Sequence, residues 1–188
     1  MVTSGRLESQ PISNVCRNDH LEAEAYCDTI NGGGEWTWVE YEDGFGEFWY
    51  GLRAPHCLTG QGGWEMKMDI KLADGTKVFL HYEQFKVASA KDKYKLTVGG
   101  FQGTTTDPMA YSNGMNFTTK DNVNDKHSDT NCATATSPST PHGGWWHRSC
   151  WHVHPNNFYK QQWGVYLNNN WHTLPFVEMK IRPVQCNI

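Results

Sequence analysis

The sequence predicts an α+β fold. It reads as a central antiparallel sheet with few short helices and a loop-rich C-terminal binding subregion. Three observations lead there. Several short segments alternate apolar and polar residues with period two, the pattern of a half-buried strand. Turn residues punctuate them. After Gly100 the composition shifts to Gly, Asn, Thr, Asp and His with little periodicity, and long irregular loops in a compact domain usually carry function.

The elements follow in order. Residues 1–15 are polar and read as a loose lead-in. A short helix is expected at His20–Tyr26, with Asp19 as its cap. Residues 31–34, Asn followed by three Gly, break it. Trp36–Val39 reads as a strand, and Glu47–Leu52 as a short aromatic segment. Trp64–Leu72 alternates cleanly, and Asp74-Gly75 turns the chain into a second strand at Thr76–Tyr82. Tyr94–Val98 adds another. Phe176–Arg182 alternates again, as a closing strand that returns to the sheet and ties the loops down. The implied organisation is a lead-in at 1–15 and one domain at 16–188. Within it lie a short N-terminal subregion (16–37), the central sheet (38–100) and the loop-rich subregion with its closing strand (101–188).

Composition narrows the function classes. In 188 residues, 16 Lys and Arg stand against 20 Asp and Glu, for a net charge of −4. That argues against nucleic acid as a partner, because such proteins usually carry a basic excess. No apolar run approaches the roughly 20 residues of a membrane span. Six Cys without a C-x-x-C spacing favour disulfides over zinc, hence an oxidising, extracellular setting. Asn116-Phe117-Thr118 is a glycosylation sequon that fits secretion. The first fifteen residues hold no apolar core of a signal peptide, so a leader is expected to have been removed or to lie upstream.

Several strings, taken together, resemble the fibrinogen C-terminal domain, the fold of ficolins, tachylectins, angiopoietins and tenascin tips. They are Tyr26-Cys27-Asp28, Gly33–Thr37, Tyr41–Gly46, Gly46–Leu52, Tyr94–Gly100, Asn113–Asp121, Asn131-Cys132-Ala133, Gly143–Cys150 and Glu178–Pro183. The resemblance is collinear over about residues 26–184. It departs from the family at the N-terminal side, where Trp36-Thr37 runs directly into Trp38–Tyr41 and Cys16 lies close to Cys27.

The resemblance implies two disulfides, Cys132–Cys150 and Cys16–Cys27. Cys57 and Cys186 are left, either as a third bridge or as links between chains. It also implies a calcium loop before Cys132, with Asp121, Asp125 and Asp129 as candidate ligands and carbonyls near His127 and Asp129. Val123 falls where the family places its first carboxylate and has no ligand atom, so calcium is expected to bind weakly at best.

A ligand pocket is implied beside the disulfide, at Thr136, Ser149, Cys150, Trp151, His152, Tyr159, Trp163 and Tyr166. The Ser149–Cys150 peptide is expected to be cis, as it often is in the family. Trp151 stands where the family usually has His, and Thr136 where it has a pocket Tyr, which weakens an acetyl-specific chemistry. Trp145 and Trp146 read as core. His142, His147, His152 and His154 have no familiar zinc spacing and read mostly as exposed loop residues.

No nucleophile elbow, zincin, phosphate-loop or dinucleotide motif is present, so the chain reads as a binder and not an enzyme. The leading expectation is a secreted carbohydrate-binding lectin of innate-defence type, engaging glycans or acetylated ligands on cell surfaces. The alternative is a module of growth-factor or matrix type that recognises a protein receptor and binds neither sugar nor calcium. Oligomerisation is left open.

Overall fold

The computed structural model describes residues 51–134, 143–155 and 164–184, together with the backbone of four short strands between residues 9 and 49. Ten strands and one α-helix follow in chain order: β1 (Ser9–Pro11), β2 (Glu24–Asp28), β3 (Trp36–Glu42), β4 (Phe48–Trp49), α1 (Arg53–Thr59), β5 (Trp64–Lys71), β6 (Lys77–Val87), β7 (Leu96–Gly103), β8 (Gly164–Leu167), β9 (Asn170–Thr173) and β10 (Phe176–Pro183). An eight-stranded sheet runs β1-β2-β3-β10-β5-β6-β7, with β4 beside β3. Every pairing is antiparallel. The closing strand thus sits in mid-sheet between β3 and β5.

Alternation decides the two faces. Met66, Met68 and Ile70 of β5 are buried, as are Val78, Leu80 and Tyr82 of β6 and Val177, Met179 and Ile181 of β10. Each such side chain contributes roughly 1.5–3 kcal/mol by leaving water. The opposite face is ionic. Glu65 takes both the His81 ring and the Arg182 guanidinium. Lys180 Nζ is held by Asp69 at 3.0 Å and Glu178 at 2.9 Å. Burial pushes the Lys180 ammonium toward its neutral form, yet the hydrogen bonds and charges of Glu178 and Asp69 outweigh it and hold its pKa above the ordinary lysine value.

Turn chemistry sets the registers. Gly75 stands at φ +87°, and Asp74 Oδ1 accepts from Thr76 N at 2.8 Å, closing the β5–β6 hairpin. Gly100 is required for a different reason: at φ +66° it faces Glu83, whose Cβ would lie 2.7 Å from any Cβ added there.

Two expectations are corrected and one element is new. Residues 24–26 belong to β2 and not to a helix at His20–Tyr26; residues 20–23 lie outside the described residues. An isolated helix that short has little intrinsic stability, whereas residues 24–26 pair with β1, and Cys27 and Asp28 of the same strand pair with β3. Ser9–Pro11, within the expected lead-in, is the strand β1. Helix α1 was not foreseen because Pro55 sits inside it. The first turn tolerates proline, and the helix docks by Thr59, whose hydroxyl donates to Pro55 O at 2.7 Å and accepts from Val87 N at 3.0 Å.

Candidate functional site

The loop implied to hold calcium closes on itself. Asp125 Oδ1 accepts from His127 N at 3.0 Å and Oδ2 from Cys132 N at 3.1 Å. Asp121 accepts from Thr119 Oγ1 at 2.8 Å, a bond that lowers its carboxyl pKa, while Asp129 accepts from Ser128. His127 Nδ1 accepts from Asp129 N at 3.3 Å. Asn131 Nδ2 ties the loop back to Thr119 O at 3.0 Å. Val123 is exposed. Among the described residues no group of three or more His, Cys, Asp or Glu is arranged to hold a metal ion. Calcium wants six to eight oxygens converging on one point, whereas these carboxylates face separate backbone and hydroxyl donors. In this structure the carboxylates are taken up by the loop's own donors, as in an Asx-type cap.

Beyond that cap, Cys132 is buried and bonded to Cys150, with Cα atoms 4.9 Å apart. Cys57 is disulfide-bonded too. Its partner, and the implied pair Cys16–Cys27, lie outside the described residues. The expected cis peptide at Ser149–Cys150 is corrected: no peptide among the described residues is cis. The chain reverses there through Cys150 itself, at φ +65°, with Arg148 N donating to Cys150 O at 3.0 Å. A left-handed non-glycine residue is costly by about 1–2 kcal/mol, and the disulfide and this hydrogen bond hold it.

From this reversal the chain sends side chains to two sides. Inward, Trp145, Trp146, His147 and His154 are all buried. Trp146 Nε1 donates to Tyr94 O at 2.7 Å. His147 and His154 pack with ring centroids 5.0 Å apart, and Trp151 leans over His154 at 5.2 Å. The expectation of exposed loop histidines is therefore corrected for His147 and His154: both pack among indoles, beneath the surface. Trp151, expected as a pocket wall, is half-buried against this inner cluster.

Outward lies a row of rings. The Arg148 guanidinium stands 5.4 Å from the centroid of Tyr111. Tyr111 stacks on His152 at 4.0 Å and 13°. His152 meets Tyr166 at 5.2 Å, and Tyr166 meets Trp171 at 5.2 Å. Trp171 is 58% exposed. Burial lowers the His152 pKa, so the ring stays neutral to lower pH.

Each member is fixed by its own element. Asp107 accepts from the Tyr82 hydroxyl, Met109 N and Ala110 N, which sets the turn carrying Tyr111. Tyr111 Oη donates to Ser149 O at 3.3 Å. Tyr166 N donates to His152 O at 2.6 Å, and Val153 bridges to Val165. Tyr166 and Trp171 face each other across the β8–β9 hairpin, whose turn residues Asn168 and Asn169 adopt φ +49° and +65°.

Of the sequence-derived pocket residues, Ser149, Cys150, Trp151, His152 and Tyr166 come together here; Thr136, Tyr159 and Trp163 lie outside the described residues. Sequence reasoning missed Arg148, Tyr111 and Trp171. The signal for Trp171 was the Asn168-Asn169 pair between short apolar runs, a two-residue hairpin turn. Asn116, the sequon residue, is half-buried, and Thr118 accepts from Asn124 N at 3.1 Å.

A family model described as the C-terminal globular domain of fibrinogen beta and gamma chains matches residues 2–184. Among curated proteins, tenascin-R of Rattus norvegicus is 34% identical over 190 residues, covering 85% of this chain and 13% of its own length. Fibrinogen C domain-containing protein 1 of Mus musculus is 34% identical over 197 residues, covering 86% of this chain and 41% of its own length. The chain thus spans well under half of these relatives. Among solved structures, the fibrinogen-like globe domain of human ANGPTL2 superposes with a TM-score of 0.80 at 27% identity, covering 97% of this chain and 94% of that one.

Proposed function

We propose that this chain, which belongs to the family of the fibrinogen C-terminal globular domain, is an extracellular module that recognises a protein partner. One observation carries the reading: the chain aligns with tenascin-R over 85% of its length and superposes on the fibrinogen-like globe domain of ANGPTL2 with a TM-score of 0.80. Domains of this family are generally recognition modules without catalytic chemistry. No helix among the described residues is long and apolar enough to cross a membrane. The loop at 117–134 is closed by its own hydrogen bonds, so recognition in this reading does not depend on calcium.

A second reading keeps the lectin. The exposed Trp171 beside Tyr166 offers flat faces on which a sugar ring can stack, worth roughly 1 kcal/mol beyond area burial. The two readings part in one assay. The domain is tested by surface plasmon resonance against purified matrix glycoproteins, before and after enzymatic removal of their glycans, with calcium or with EGTA. Protein recognition predicts binding that survives both treatments. Binding abolished by deglycosylation, or retention on acetylated beads that EGTA abolishes, would establish the lectin instead.

A further inference from the structure

We propose that the outer row formed by Arg148, Tyr111, His152, Tyr166 and Trp171 docks an extended acidic peptide segment bearing an aromatic or proline side chain. The inference rests on the protein-recognition reading and names the chemistry of the partner segment.

Exposure comes first. Trp171 is among the few exposed large hydrophobic residues described, and it ends a continuous row of four rings. Contiguous exposed apolar surface of this kind marks interaction sites more than chance does. Trp, Tyr and Arg are also the residue types that carry most binding energy at interfaces. The row is held rigid before any partner arrives. The Cys132–Cys150 bridge, the Arg148–Cys150 reversal, the Asp107 turn and the β8–β9 hairpin each fix one part of it. Binding therefore orders little.

Charge selects the acidic class. Arg148 is exposed, and its guanidinium meets no carboxylate among the described ion pairs. It lies instead over the Tyr111 ring, an arrangement that leaves its planar donor edge open for a carboxylate. Lys126, also exposed, donates its backbone N–H to Arg148 O at 2.7 Å, which places a second cation's backbone beside the first. Among the described residues, no ion pair joins an acidic side chain to the row.

Hydrogen bonding then favours peptide over sugar. A stacked sugar needs polar groups beside the aromatic face to fix its hydroxyls. Here the neighbouring polar groups are bonded to one another: Thr105 Oγ1 donates to Asn168 Oδ1 at 3.3 Å, Asn168 N to Thr106 Oγ1 at 3.1 Å, and Asn170 Nδ2 to Asn168 O at 3.3 Å. Among the described residues, the row itself presents ring surface and the Arg148 guanidinium. Ring surface takes proline or aromatic side chains, as in aromatic-lined grooves that dock extended segments.

The test is a phage library of random linear dodecapeptides panned against the folded domain, followed by fluorescence anisotropy on synthetic copies of the enriched peptides. Enriched sequences should pair Asp or Glu with Trp, Tyr, Phe or Pro. Affinity should fall about tenfold or more for Trp171→Ala and for Arg148→Ala, and Arg148→Glu should turn the preference toward lysine-bearing peptides. Phe79→Ala, on the ionic face of the sheet, should bind as the parent does, and unchanged thermal melts should show that the row variants are folded. Enriched peptides without acids, binding kept by both row variants, an empty selection, or an acidic oligosaccharide that binds in a Trp171-dependent way where no peptide does would each overturn the proposal. Matrix-protein binding that survives Trp171→Ala and Arg148→Ala would sink this site while leaving protein recognition standing.

Discussion

The stretch from Gly143 to Pro155 uses the same residue types for opposite ends on its two sides. Inward, two indoles and two imidazoles are fully enclosed, with Trp146 anchored on Tyr94 O. Outward, one imidazole and one guanidinium join Tyr111, Tyr166 and Trp171 at the surface. Inward and outward side chains alternate on both sides of Cys150 in the sequence: Trp145, Trp146, His147 and His154 turn in, Arg148 and His152 turn out. Aromatic and histidine content alone therefore does not tell packing from a surface row.

Trp146→Ala breaks the comparison most strongly. It removes a buried indole and should cost about 3–5 kcal/mol, whereas Trp171→Ala should stay within about 0.5 kcal/mol because its ring is already in water. Denaturant melts of both variants check the contrast. Replacing Cys132 and Cys150 together by Ser comes next. The pair is 18 positions apart, and the chain-entropy account gives about 3 kcal/mol for such a loop. The same change should loosen Arg148 and Ser149, so peptide binding should weaken more than the loss of stability alone explains.

Asp125→Ala sharpens the picture of the loop. It leaves the N–H groups of His127 and Cys132 without their acceptor, at a cost of about 1–3 kcal/mol. Since the loop closes on itself, the parent protein's melting temperature should be the same in calcium and in EGTA. A calorimetric titration with calcium gives the companion test: Val123→Asp should bind more heat-detectably than the parent, and tight binding by the parent would contradict the capped-loop account.

The smallest effects are with pH. His152 has its pKa lowered by burial in the folded state. Its contribution is therefore full above the unfolded value near 6.5 and is lost as pH falls through the folded value. Lys180 runs the other way. Its raised pKa gives a contribution that is full below about 10.5 and fades as pH rises through the folded value. Melts across pH should show both slopes, and His152→Gln should flatten only the acid one.

Much of the sheet was legible because β5, β6 and β10 each bury one face, and burial of one face imposes period two on the sequence. The Asp74-Gly75 turn was readable for a local reason, since its backbone needs a positive φ. Helix α1 was hidden by Pro55 and by a length too short to show a helical period. At the site, Ser149, Cys150, His152 and Tyr166 were within reach because the family resemblance places a pocket beside the second cysteine of the Cys132–Cys150 bridge. Tyr111 and Trp171 were not, since they arrive from distant segments and meet His152 only through the Asp107 turn and the β8–β9 hairpin. The inward turn of His147 and His154 left no trace in spacing either. Their burial is set by packing against Trp145 and Trp151, contacts that no local pattern announces.

The most direct test of the inner and outer division is fluorine NMR on protein labelled with 5-fluorotryptophan, with the resonances of Trp145, Trp146 and Trp171 assigned by Trp→Phe substitution. On addition of an enriched acidic peptide, the Trp171 resonance should shift in a saturable way while Trp145 and Trp146 stay where they are. Movement of Trp145 and Trp146 with Trp171 unchanged would contradict the account, because it would place recognition on the side assigned here to packing.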